Sequence, residues 1–146
     1  PGRFTVLGRR PLFVADGAHN EDAAKKLAES IEFYFTNRRI IFIMGILKDK
    51  DYEKIIELTA RYADQILTVA PPDNPRAMSS YELAREVARV HPRVTAVDSL
   101  EEAVEISHLL ADREDVILAF GSLSYLGGLM DIMEERNRKT AAHKGR

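Results

Sequence analysis

Leu12-Phe13-Val14-Ala15-Asp16-Gly17-Ala18-His19-Asn20 is the stretch on which the fold turns. Its first four residues are an unbroken apolar run, the pattern of a strand buried on both faces. The run stops at an acid and a glycine, and Asn20 then stands where a helix cap is needed. Glu21 and Asp22 follow, complementing the positive end of a helix dipole, and Ala24, Leu27, Ala28, Ile31 and Phe35 fall on one helical stripe. Strand, polar turn and amphipathic helix therefore succeed one another without a spacer.

The same alternation recurs along the chain. Ile40-Ile41-Phe42-Ile43-Met44 ends at Gly45, Gln65 to Ala70 ends at Pro71-Pro72, and Val116 to Phe120 ends at Gly121. Val94-Thr95-Ala96-Val97 is a weaker fifth strand, and Phe4-Thr5-Val6-Leu7 reads as a short antiparallel edge. Helical stripes lie between them: Tyr52, Ile55, Ile56, Thr59 and Tyr62; Leu83, Ala84, Val87 and Ala88 after a Ser79 or Ser80 cap; Leu100, Ala103, Val104 and Leu110 after Ser99; and Leu123, Leu126, Met130 and Met133. Pro71–Arg76 reads as a loop, and the charged tail after Met133 is expected to fray. The fold class is α/β, a Rossmann-like, mainly parallel sheet with helices on both faces. Strand order does not follow from this pattern.

Composition bounds the function. The 146 residues are 45% hydrophobic and 30% charged, consistent with one domain. Without cysteine there is no disulfide scaffold, thiolate metal site or cysteine nucleophile. A net charge of −2 gives no broad pull toward nucleic acid or an anionic membrane. No apolar run approaches the ~18 residues of a membrane span. No leader-like segment is expected ahead of Pro1, so the domain is expected to be soluble and cytoplasmic. The chain lacks an initiator Met, and it is expected to be part of something larger.

In open parallel sheets, ligands bind at the carboxyl ends of the strands, so the polar residues after each apolar run are the candidates. Asp16 at a strand tip suits a sugar diol, and His19 shares its crevice; alternatively, Asp16 and Asn20 only cap turns and His19 lies at the surface. Gly45-Ile46-Leu47-Lys48-Asp49-Lys50-Asp51 presents cations to phosphates or a neighbouring domain, or is a solvated loop ending in the Asp51 cap. Gly121-Ser122-Leu123-Ser124-Tyr125 opens a helix N-terminus able to hold a carboxylate or phosphate. The competing reading makes Ser122 or Ser124 an ordinary cap, with Gly127-Gly128 admitting close helix–sheet packing. Pro1-Gly2-Arg3 carries no meaning by itself. No G-x-x-x-x-G-K-[ST], G-x-G-x-x-G or G-x-S-x-G occurs. His19, His91, His108 and His143 lack metal-ligand spacing, and His91 and His108 read as structural or solvated.

Taken together and in order, Pro1-Gly2-Arg3, Asp16-Gly17-Ala18-His19-Asn20, Gly45 to Asp51 and Phe120-Gly121-Ser122-Leu123 resemble the C-terminal domain of the folylpolyglutamate synthase/dihydrofolate synthase family, within the Mur ligase superfamily. The resemblance covers essentially residues 1–146. It implies one glutamate ligase domain, with the P-loop ATPase domain and its Mg²⁺ ligands absent from this chain. The family joins L-glutamate to folate or dihydropteroate at the expense of ATP, through an acyl phosphate. The resemblance implies that Arg3 contacts ATP phosphates, Asp16 binds the nucleotide through its ribose, and His19 and Ser122 place glutamate. It assigns no catalytic residue and no metal ligand here. The segment Ser122–Tyr125 departs from the family, which sets an aromatic closer to the serine. The isolated chain is expected to be inactive, because phosphoryl transfer depends on charge stabilisation by the missing half. Two other readings are a free-standing nucleotide or amino-acid binding module, and a fragment of a peptidoglycan Mur-type ligase. Gly17 argues against the second, since those ligases usually carry Tyr there.

Overall fold

The computed structural model describes residues 4–144. A hairpin of β1 (Thr5–Arg9) and β2 (Leu12–Ala15) leads into α1 (Glu21–Tyr34). Then come β3 (Ile40–Met44), α2 (Tyr52–Thr59), β4 (Gln65–Thr68), α3 (Ser80–Ala88), β5 (Val94–Ala96), α4 (Leu100–Leu110), β6 (Val116–Phe120) and α5 (Leu126–Lys144). Short 3₁₀ turns follow α2 at Ala60–Tyr62 and precede α5 at Leu123–Tyr125.

The strands form one sheet in the order β1-β2-β6-β3-β4-β5. Only the β1–β2 pair is antiparallel. The last strand thus inserts between the second and third, pairing Val14 with Leu118 on one side and Phe42 with Leu118 on the other. Crossovers keep one hand, so reversing the direction of travel across the sheet moves the helix to the opposite face. That is how the core divides. Leu27 and Ile31 of α1, Ile55 of α2 and Leu83 of α3 pack with Val14, Phe42 and Phe120 on one face. Ala103 and Val104 of α4 and Leu129 and Met133 of α5 pack with Phe13, Ile43 and Ala119 on the other. β3 and β6 are buried at every position, as central strands covered on both sides must be.

The helix caps are those read from the sequence. The Asn20 side chain accepts from Ala23 N at 2.8 Å, Asp51 from Lys54 N at 3.3 Å, Ser79 from Glu82 N at 3.1 Å and Ser99 from Glu102 N at 3.0 Å. Each satisfies an amide that the first turn otherwise leaves orphaned.

Three expectations are corrected. The last stripe holds only in part: Leu126 and Met133 pack against the core, but Leu123 and Met130 are exposed and Tyr125 and Leu129 are buried instead. The 3₁₀ turn at Leu123–Tyr125 winds at three residues per turn, so it shifts the phase of everything before α5. The tail does not fray after Met133. α5 runs to Lys144, held by Arg136 to Glu105 at 3.2 Å and by Asn137 Nδ2 donating to the Leu7 carbonyl at 3.0 Å. Finally, Gly128 admits a helix rather than the sheet, since a β-carbon there would lie 2.9 Å from Leu100 Cδ1 on α4. Among the described residues no helix is long and apolar enough to cross a membrane.

Candidate functional site

The backbone ladder continues one residue past several strands and sets out the tips in a row. Asp16 N donates to the Ala119 carbonyl at 2.9 Å, Gly45 N to Phe120 at 3.2 Å, and Val69 N to Met44 at 3.0 Å. The segments that follow β2, β3, β4 and β6 therefore crowd onto one edge of the sheet.

Gly45 and Gly121 make that crowding possible. Gly121 has φ +114°, and a β-carbon on it would stand 2.3 Å from the Gly45 carbonyl oxygen. Only glycine takes that backbone conformation without strain. The turn it makes leads directly into Ser122, which is buried. Ser122 Oγ accepts from Ser124 N at 3.1 Å and lies 2.7 Å from Ser124 Oγ. One hydroxyl hydrogen serves that pair, and the other is left to donate outward. Beneath them Tyr125 is fully buried, its hydroxyl donating to the Phe120 carbonyl and, at 3.4 Å, to that of Ile43. Burial pushes the Tyr125 phenol far above its ordinary value. Tyr125 is thus an aromatic prop that ties the β6 turn to β3.

At the β2 tip the Asp16 carboxylate accepts from Ala18 N at 2.7 Å. Partial burial raises its pKa, and the Ala18 amide opposes that rise. His19 Nδ1 lies 2.8 Å from the Gly17 carbonyl. A carbonyl only accepts, so Nδ1 carries the proton and Nε2 is the free nitrogen. Gly17 brings this loop against the β6 turn, since a β-carbon there would meet Leu123 Cδ2 at 2.5 Å.

The lysine–aspartate loop after β3 pairs with the proline loop after β4. Lys48 N donates to the Arg76 carbonyl at 2.7 Å and Met78 N to the Ile46 carbonyl at 3.0 Å. Arg76 Nε donates to Asp49 at 3.0 Å, and that guanidinium holds the Asp49 carboxyl below the usual carboxylate range.

These segments enclose a cleft of about 270 Å³ bounded by His19, Lys50, Asn74, Arg76, Ser122 and Ser124, with Leu47 and Leu123 as its apolar walls. Of the sequence candidates, His19 and Ser122 meet there. Asp16 stands at the neighbouring strand tip and does not line the cleft. Arg3 lies outside the described residues. Lys50 reaches the cleft, and Lys48 does not. Asn74 and Arg76 escape the sequence reading, in which Pro71–Arg76 is only a loop. The rule that singled out the other strand tips applies equally to the one after β4. No carboxylate side chain lines the cleft, and with Arg76 already paired to Asp49, Lys50 and the two serine hydroxyls are the groups open to an anion. Among the described residues no group of three or more His, Asp or Glu is disposed to hold a metal.

Comparison with known proteins gives the same frame. A family profile described as "Mur ligase, glutamate ligase domain" matches residues 2–123. The chain is 34% identical over 122 residues to the dihydrofolate synthase/folylpolyglutamate synthase of Buchnera aphidicola, covering 84% of this chain and 29% of that protein. Its fold is similar to that of Escherichia coli FolC in complex with ADP, with a TM-score of 0.82 and 25% identity over 94% of this chain and 32% of that one. A bifunctional folylpolyglutamate synthase/dihydrofolate synthase solved with Mn, AMPPNP and L-glutamate matches with a TM-score of 0.78 and 27% identity, over 92% of this chain and 32% of that one. The chain therefore spans about a third of the length of the proteins it matches.

Proposed function

Because the chain belongs to the Mur ligase glutamate ligase domain family, we propose that it is the C-terminal domain of an ATP-dependent ligase that adds L-glutamate to folate or dihydropteroate. One observation carries the reading. His19 from the β2 tip and Ser122 from the β6 tip border a single cleft with Lys50 and Arg76. Glutamate brings carboxylates and an amine to such a cleft. The serine hydroxyls and the Lys50 ammonium suit a carboxylate, and His19 Nε2, with Nδ1 committed to Gly17, remains to accept from the amine. A volume of about 270 Å³ lies just below the usual range of ligand pockets and fits an amino acid better than a nucleotide.

The nucleotide belongs beside this cleft, on Asp16. Its carboxylate uses one oxygen on Ala18 N and keeps acceptor capacity for a ribose diol. Arg3 is the further residue assigned to the nucleotide, toward its phosphates. The P-loop and the Mg²⁺ ligands are assigned to an N-terminal domain in cis. In the proposed sequence the substrate carboxylate takes the γ-phosphoryl group of ATP and releases ADP. The glutamate amine then attacks the acyl carbon, phosphate leaves, and the amine gives up a proton. This chain's share is to hold glutamate and the nucleotide when the domains close. A cytoplasmic location fits those soluble substrates.

The test compares the chain alone with the longer protein that carries it behind a P-loop domain, measuring ATP-dependent incorporation of labelled glutamate. The chain alone should show none. In the longer protein, Ser122→Ala and His19→Asn should raise KM for glutamate about tenfold, the expected loss of one charge-assisted hydrogen bond, and leave KM for ATP unchanged. Turnover by the chain alone, or an unchanged KM for glutamate in both variants, would overturn the reading.

A further inference from the structure

A second cavity lies at the opposite end of the sheet, where β2 and β6 begin, and has a volume of about 540 Å³. Four guanidinium groups border it, from Arg9 and Arg10 in the β1–β2 hairpin, Arg113 in the loop before β6, and Arg136 on α5. Asn137 and His108 add polar atoms, and no carboxylate side chain lines it. In a chain whose net charge is −2, that concentration of one sign is local and runs against the whole.

Two features separate this cavity from an ordinary solvated basic surface. First, the guanidinium groups of Arg9, Arg10 and Arg113 pair with no side chain or carbonyl among the described residues, whereas Arg39, Arg61, Arg76 and Arg93 all have acidic partners. Second, several wall residues are tied to neighbouring elements. A register shift between Val6 and Gly8 sets Gly8 against α5, where a β-carbon would lie 2.8 Å from Met133 Cε. Asn137 ties Leu7 down at 3.0 Å, and Arg136 is held to Glu105 at 3.2 Å. His108 stacks on Phe13 with ring centroids 5.7 Å apart, and its Nδ1 donates to the Val104 carbonyl at 2.8 Å, leaving Nε2 without a partner.

We propose that this cavity is a binding site for a small polyanion, a molecule carrying two or more phosphate or carboxylate groups. Planar guanidinium forks grip both groups in bidentate fashion. Arginines drawn from three separate segments match an anion with several charges better than one with a single charge. The volume lies within the range of small-molecule sites. Arg136 and Asn137 lie beyond the residues that the family profile matches, and no residue that lines this cavity lines the carboxyl-end cleft. The site is therefore independent of the glutamate and nucleotide roles given above.

The experiment titrates the ¹⁵N-labelled chain with inorganic pyrophosphate and, separately, with citrate, at constant total ionic strength. The expected result is saturable shifts of the Nε–H signals of Arg9, Arg10, Arg113 and Arg136 with at least one probe. The two arms tell a phosphate ligand from a carboxylate one. Arg113→Ala and Arg9→Ala remove exposed, unpaired groups and leave thermal unfolding unchanged, and each should weaken binding about tenfold. Arg93→Ala, in the Asp64 ion pair elsewhere, should bind as the parent does. The proposal fails if shifts grow without saturating, if they map to Ser122–Tyr125 and His19 instead, or if Arg113→Ala binds normally. It also fails if only a long polyanion such as heparin binds.

Discussion

Gly121 and Gly45 meet back to back at the tips of the two central strands, with 2.3 Å between the Gly45 carbonyl oxygen and the place a Gly121 β-carbon would take. The obstacle is backbone in the middle of the sheet, so it does not swing aside. Gly121→Ala combines that clash with the strain of φ +114° on a residue with a β-carbon. The variant should lose about 3 kcal/mol in urea unfolding. Gly17→Ala is the contrast: its clash is with the end of an exposed leucine side chain that has room to move.

Tyr125→Phe removes the buried hydroxyl that joins the β6 turn to β3. The Phe120 carbonyl keeps its bond from Gly45 N at 3.2 Å, so the loss should be at the low end for a buried hydrogen bond, about 1 kcal/mol by denaturant melt. Hydrogen exchange at Ser122 to Tyr125 should accelerate more than exchange in β3, because the turn loses its prop.

Asp16→Asn should stabilise the chain at neutral pH. Burial raises the folded Asp16 pKa above the ordinary value of 3.8. The folded state therefore holds the proton more tightly, and stability is lost as pH rises from 3.8 through the folded value. Above that window the charged carboxylate is a constant burden that asparagine lacks. Below pH 3.8 the two proteins should be equally stable. Thermal melts across pH 3 to 8 check this, and a variant less stable than the parent at pH 7 would contradict it. Nucleotide affinity in the longer protein should fall in the same variant.

Arg39 ties together three strand beginnings. Its Nε donates to Asp64 at 2.9 Å, and its Nη1 to Asp115 at 2.6 Å and to the Leu110 carbonyl at 3.0 Å. Asp115 is buried, so Arg39→Ala leaves it short of a partner. The loss should be about 2 kcal/mol at pH 7. Arg39 holds the Asp64 carboxyl below its ordinary 3.8, so that part of the stabilisation is full above pH 3.8 and disappears as pH falls through the folded value. The gap between variant and parent should narrow correspondingly in acid.

Much of the site was legible because strand tips announce themselves. An apolar run that ends in Asp16-Gly17 or Gly121-Ser122 marks both the end of a strand and the polar group it presents. Asn74 and Arg76 sit after two prolines and an Asp73 with φ +56°, and such a loop has no period to betray which way its side chains point. The choice of Leu123 over Tyr125 for the core has a related cause, since a 3₁₀ turn interrupts the 3.6-residue rhythm on which the reading depends.

Local chemistry in the sequence determined the elements of this protein: apolar runs long enough to bury two faces, caps at Asn20, Asp51, Ser79 and Ser99, and glycines where strands must turn. These depend on contacts between residues a few positions apart. Only the tertiary structure decided that β6 slides between β2 and β3, and hence that His19 meets Ser122 and that Arg9 meets Arg113. Those meetings join residues about a hundred positions apart. They are set by which buried faces pair at the least cost in loop closure and exposed backbone, a competition across the whole chain that no single segment records.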